Sequence, residues 1–267
     1  MRNIISPLML QYLVVAIIIL SGCNKNDDEP KYVFSVEDST SIKIGVYFDK
    51  GVFDVCKTET ESMLKKMKCN YTTLNKDSIL NGNLQRYDLF LMPGSDFWTL
   101  KNYLTNNGMG KLKTFVDQGG GYFGICGGAY FAATTITWRG WANNPRINVS
   151  NIGLNLFSGI ADGPIEDFAP TYVNSKCEIK ILSPDHPITK DVPQILKMYY
   201  DHGPMFLPND DANVTLLGKT VNGDKNVLMA FQYNSGKVFL SGLHPERDDT
   251  YLSWIMVKNA ILWCTRK

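Results

Sequence analysis

The chain has 267 residues, enough for one large α/β domain or two small ones. A net charge of +1, with 20% charged residues and no basic stripe, excludes nucleic acid as the natural partner. Apolar residues make up 44% of the chain, so a sizeable core is available.

The chain opens with a short positive stretch, Met1-Arg2-Asn3, and a mostly apolar run over residues 8–20. That is the layout of a secretory signal, and the run is short for a stable membrane span. Leu20-Ser21-Gly22-Cys23 resembles a bacterial lipoprotein lipobox. The resemblance implies that residues 1–22 are removed and that Cys23 is lipidated and holds the protein to a membrane. An uncleaved anchor is the competing reading. Either way the body is expected outside the cytoplasm, on a periplasmic or surface face. Residues 23–41 are read as a polar tether, its first part too poor in apolar residues to fold, and 42–267 as a single domain.

From there strand and helix patterns alternate. Residues 42–48 are β-branched and aromatic and predict a first strand, and 50–53 the loop after it. Residues 59–67 place Met63, Leu64 and Met67 at helical spacing. Residues 71–74 predict a short strand, and 87–92 a continuous apolar strand ended by Pro93-Gly94-Ser95. Residues 110–118 predict a helix closed by Gly119-Gly120, and the next strand follows at once. Such alternation points to a parallel sheet with right-handed crossovers, which binds ligands at the carboxyl ends of its strands. From Trp138 to about Tyr200 the chain is Gly/Pro-punctuated and strand-like, with β segments expected at 148–156, 168–173 and 178–182. This is read as an antiparallel excursion covering the cleft. Residues 212–220 predict a strand, 226–233 and 237–243 a hairpin about Asn234-Ser235-Gly236, and 251–262 a closing helix.

The most informative stretch is residues 121–130, Gly-Tyr-Phe-Gly-Ile-Cys-Gly-Gly-Ala-Tyr. It reads as a buried strand, a forced turn and a helix start, with Cys126 between glycines in the pattern Gly-x-Cys-x-Gly. This is a thiol version of the nucleophile elbow. The turn would push the sulfur out at the sheet edge, under a helix N-terminus that favours a thiolate, and leave the Gly127 N–H to meet an oxyanion. The plain reading is a glycine-rich turn with an inert cysteine. Of the three histidines, His244 ends a strand in Leu243-His244-Pro245-Glu246, which delivers an imidazole to the same edge with Glu246 in reach to orient it. His202 is a possible substrate contact, and His186 reads as a loop residue. Cys56, Cys69, Cys177 and Cys264 are either two disulfides, by any of three pairings, or free buried thiols. No CxxC or His-rich pattern appears, so no metal is expected.

Residues 123–128 together with 242–246 resemble the class I glutamine amidotransferase-like superfamily. The resemblance implies a flavodoxin-like α/β three-layer sandwich with a mostly parallel central sheet. It also implies a triad of Cys126 as nucleophile, His244 as base and Glu246 as orienter. Residues 91–94 and 115–130 are similar, more closely, to the branch named after the N-terminal domain of certain biotin–protein ligases. That branch's Pro-Gly-Gly turn is Pro93-Gly94-Ser95 here, which implies Gly94 or Ser95 as a second oxyanion donor beside Gly127, with Gly128 as a further contact. No synthetase or ligase domain and no biotin-binding loop is visible, and no cofactor is expected. The expected function is an extracytoplasmic hydrolase cleaving the C–N bond of a small-molecule or peptide amide through a thioester. The alternative is a catalytically silent ligand-binding lipoprotein, its aromatics (Trp138, Trp141, Phe157, Phe168, Tyr172, Tyr199, Tyr200) serving as a binding surface.

Overall fold

The computed structural model describes residues 29–140, 146–165 and 175–265. The expected leader and Cys23 lie outside these residues, as do Trp141, Phe168 and Tyr172. The compact unit spans Lys31–Lys267 and begins earlier than the expected boundary at residue 42. Phe34 is buried, and its N–H donates to the Met67 carbonyl at 2.9 Å. Ser35 caps a short helix by accepting from the Asp38 N–H at 3.1 Å. One buried aromatic and one cap are enough to dock a segment whose average composition is polar.

In chain order the elements are α1 (Val36–Ser41), β1 (Ile44–Tyr47), α2 (Asp54–Lys66), β2 (Tyr71–Leu74), α3 (Lys76–Asn81), β3 (Leu89–Met92), α4 (Phe97–Asp117), β4 (Gly121–Ile125), α5 (Gly127–Ala132), β5 (Ala133–Trp138), β6 (Ile147–Ser150), β7 (Phe157–Gly163), β8 (Ser175–Ile181), β9 (Ile195–Tyr200), β10 (Met205–Pro208), β11 (Val214–Thr220), β12 (Asn226–Tyr233), β13 (Gly236–Ser241) and α6 (Leu252–Thr265). The main sheet has nine strands in the order β2-β1-β3-β4-β13-β12-β11-β8-β9. From β2 to β13 the neighbours are parallel, and from β13 to β9 they are antiparallel. The core strands therefore run parallel, as expected for this flavodoxin-like α/β class.

Alternation along the parallel strands assigns the two faces. Ile44, Val46, Leu91 and Ile125 share one core with Met63 of α2 and Met256 and Val257 of α6. Tyr47, Phe90, Met92 and Tyr122 share the other with Leu104, Leu112 and Phe115 of α4. The continuous apolar runs of β1, β3 and β4 thus belong to strands covered on both sides.

The excursion differs from expectation. β10, β7, β5 and β6 form a separate four-stranded sheet in which β7 and β5 pair in parallel. β8 and β9 instead extend the main sheet. Helix α4 starts at Phe97, well before the expected residue 110. The Asp96 side chain caps it, accepting from the Trp98 N–H at 2.9 Å. Thr105 (φ 59°) kinks it, and that break together with Asn106, Asn107 and the glycines after them obscured its period. Helix α2 also starts early, at Asp54, because its N-cap Phe53 supplies no side-chain cap to read.

Phe123 of β4 meets Phe239 of β13 edge-on at 4.8 Å between ring centres, and both are fully buried. Phe123→Ala is expected to cost about 3–5 kcal/mol of unfolding free energy, measured by denaturant titration.

Candidate active site

Three parallel strands end at one sheet edge and set out the site. β4 delivers Cys126, the segment after β3 delivers Gly94 and Ser95, and β13 leads to His244 and Glu246. Cys126 has φ 49° and ψ −105°, a conformation that costs a non-glycine residue of order 1–3 kcal/mol. Backbone bonds hold it: its N–H donates to the Ser241 carbonyl at 2.8 Å, and its carbonyl accepts from Ala129 and Tyr130 at 3.0 Å. The two following glycines are required by packing. A Cβ on Gly127 would lie 1.8 Å from the Ser95 carbonyl oxygen, and one on Gly128 would lie 2.3 Å from that of Met92. The bend therefore fits against the β3 turn only without side chains at these positions.

The His244 N–H donates to the Tyr199 carbonyl at 2.9 Å, which ties the end of β13 to β9. His244 and Glu246 are both buried, and Nδ1 lies 2.7 Å from Glu246 Oε1. Nε2 lies 3.3 Å from the Asp201 carbonyl oxygen, and the Cys126 thiol donates to that same oxygen at 3.3 Å. Both ring nitrogens therefore face acceptors, which the doubly protonated imidazolium satisfies. Burial disfavours that cation. The Glu246 carboxylate and the neighbouring sulfurs of Cys126 and Cys56 outweigh it and hold His244 well above the ordinary histidine range.

Around this centre lies a cavity of about 620 Å³. Cys126, His244, Ser95, Gly127 and His202 all line it. Gly94 and Gly128 pack closely against this centre. A Cβ on Gly94 would lie 3.0 Å from His244 Cε1, and Gly128 backs onto the Met92 carbonyl. His202 has φ 63°, and its Nδ1 lies 2.5 Å from Asp201 Oδ1. Asp201 also accepts from Arg247 Nη1 at 3.2 Å. Burial alone would raise the Asp201 carboxyl, but His202, His244 and Arg247 hold it below its usual range. Of the other expected aromatics, Trp138 is on the cavity wall, whereas Phe157 and Tyr200 are in the core. His186 caps a short turn away from the site, its Nδ1 accepting from the Ile188 N–H at 3.2 Å.

Two features were not legible in the sequence. The Asp201 carbonyl reaches the site from the turn after β9, which no motif marks. Cys56, near the start of α2, also lines the cavity. It is a free thiol, as are Cys69, Cys126, Cys177 and Cys264, so among the described residues the free-thiol alternative is the one observed. Burial pushes the Cys56 thiol up, against the lowering effect of the nearby His244. Donor atoms of Cys56, His244 and Glu246 converge to within 4.8 Å of one another. A cation there would compete with the His244–Glu246 hydrogen bond.

A histidine whose folded pKa is raised contributes stability that is complete below its unfolded value of about 6.5 and is lost as pH rises through the folded value. Glu246→Gln removes the charge that opposes burial. NMR titration of the His244 ring should show its midpoint above about 6.5 in the parent and lower in Glu246→Gln. The variant's loss of stability should shrink as pH rises.

The family model described as "Biotin-protein ligase, N terminal" matches residues 42–261. An uncharacterized protein of Chlamydia muridarum is 26% identical over 213 residues, covering 76% of this chain and 80% of that protein. A biotin–protein ligase of Schizosaccharomyces pombe is 26% identical over 165 residues, covering 59% of this chain and 25% of the ligase. Among solved structures, a provisionally assigned GMP synthase subunit from Thermoplasma acidophilum superposes with a TM-score of 0.53 at 15% identity, over 84% of this chain and 94% of that one. A glutamine amidotransferase from Thermotoga maritima does so with a TM-score of 0.50 at 12% identity, over 81% of each chain. The fold is thus that of the class I glutamine amidotransferase-like proteins, and the chain belongs to the biotin–protein ligase N-terminal family.

Proposed function

We propose that the protein is a cysteine-nucleophile amide hydrolase or acyl transferase. Cys126 is the nucleophile, His244 the proton carrier and Glu246 the group that fixes the imidazole. The observation that carries this reading is the shared position of the Cys126 thiol and His244 Nε2, each 3.3 Å from one carbonyl oxygen in an open cavity, with Glu246 2.7 Å behind the ring. In the reaction, the Cys126 thiol proton resides on His244, and the resulting thiolate sulfur attacks the amide carbonyl carbon. The negative charge on the carbonyl oxygen falls beside the backbone of Gly127 and Ser95, whose N–H groups are the candidate donors; one such donor is worth about 100–1,000-fold in rate. The C–N bond then breaks, His244 gives its proton to the departing amine, and an acyl thioester remains on Cys126. His244 next takes a proton from water, which attacks the thioester carbon and releases the acid and the free thiol.

The address is part of the proposal. A lipid on Cys23 would hold the domain at a membrane outside the cytoplasm. Glutaminase subunits usually feed ammonia to ATP-using synthetases, which makes free glutamine a poor match for that location. Amide or peptide material of the envelope fits it better.

Cys126→Ala is expected to abolish amide hydrolysis. His244→Ala should lower it at least about 100-fold, the usual worth of a positioned general base. Iodoacetamide should alkylate Cys126 of the parent at neutral pH about tenfold faster than it does glutathione. Peptide mapping separates Cys126 from Cys56. Equal rates for Cys126 and glutathione would instead support the silent ligand-binding reading.

A further inference from the structure

The cavity wall outside the candidate triad has a chemistry of its own. Phe53 and Val55 at the start of α2 are large apolar residues that are 50% and 45% exposed at the site. The same cavity is lined by Phe97 and Trp98 from the start of α4, Trp138 from β5 and Ile147 from β6. The aromatic members support one another: Phe97 lies 5.8 Å from Trp98 and 6.1 Å from Trp138, centre to centre. Core packing explains Phe97, which is 5% exposed, but leaves the exposed faces of Phe53 and Val55 unexplained.

The charges in the cavity are already engaged. Among the described lining residues there is no Lys or Arg. Asp96 is bound to the first turn of α4, accepting from the Trp98 N–H at 2.9 Å and the Thr99 hydroxyl at 3.1 Å. Asp201 is bound to His202 and Arg247. A carboxylate brought in beside the scissile bond would lose water and meet an apolar wall whose cation, His244, is already paired with Glu246 at 2.7 Å.

We propose that the cavity takes an uncharged amide bearing an apolar, ring-sized group, seated among Phe53, Val55, Trp98 and Trp138. It discriminates against amides with a carboxylate next to the reacting carbonyl. The proposal rests on the reading of Cys126 as nucleophile, and it adds the substrate class. The volume suits it, since cavities of roughly 300–1,000 Å³ hold small molecules of this kind.

The test uses three iodoacetamides that differ only in the nitrogen substituent: methyl, benzyl and carboxymethyl. Their second-order rates at Cys126 of the full chain are read by mass spectrometry and divided by their rates with glutathione. The benzyl reagent is expected to react about tenfold or more faster than the methyl one, and the carboxymethyl reagent more slowly than either. Phe53→Ser should lower the benzyl preference by about threefold or more. It should keep or raise the thermal midpoint, because Phe53 is the uncapped N-cap of α2 and serine is a good one. Equal normalised rates for all three reagents, or a faster carboxymethyl reagent, would overturn the substrate class while Cys126 stays reactive. Rates no greater than glutathione's with every reagent would overturn the reading of Cys126 and this proposal with it.

Discussion

The site depends on one close backbone approach. Gly127 sits so near the Ser95 carbonyl that even a methyl group would overlap it. This contact locks the turn after β3 against the bend after β4. It also lets Cys126 hold its unfavourable dihedrals at the end of a strand buried on both faces. The surrounding sheet supplies the rigidity. β4 is bordered by β3 and β13 in parallel register, so the three segments that carry Ser95, Cys126 and His244 leave the sheet at one edge. A strained residue persists only where its surroundings over-determine it, and here they do so with main-chain atoms.

The second element is a buried charge pair. His244 and Glu246 are 2% and 1% exposed, and burying either charge alone would be costly. The pair is held from outside by the Tyr199 carbonyl on the His244 N–H. The Asp201 carbonyl then links imidazole and thiol to the turn that carries His202, while Arg247 reaches back to the Asp201 carboxylate. The antiparallel extension of the sheet therefore contributes to the site as well as covering core. Cys56 is a second thiol beside the same imidazole, and burial pushes its pKa up.

Much of the fold was legible because the parallel strands carry uninterrupted apolar runs and the bend needs glycines at fixed positions. Residues 71–74 and 226–233 were located to the residue by pattern alone. His244 and Glu246 were legible because a turn fixed by Pro245 keeps them two residues apart after a strong strand. What stayed hidden follows from non-local or main-chain effects. The first half of α4 carries a kink at Thr105, and its one clear start signal, Asp96, sits inside a turn sequence. The excursion divides between two sheets because β8 and β9 find an open edge at β11, a choice set by tertiary pairing that no local pattern encodes. Asp201 acts through its carbonyl oxygen, which every residue possesses. Cys56 reaches the cavity from α2, distant in sequence from Cys126.

The central claim is that Cys126, His244 and Glu246 work as one unit. A double-mutant cycle on the Cys126 alkylation rate tests it most directly, using His244→Ala, Glu246→Gln and the double variant. Removing His244 should leave nothing for Glu246 to orient, so the double variant is predicted to react no more slowly than His244→Ala alone. Independent losses that multiply in the double variant would contradict the account.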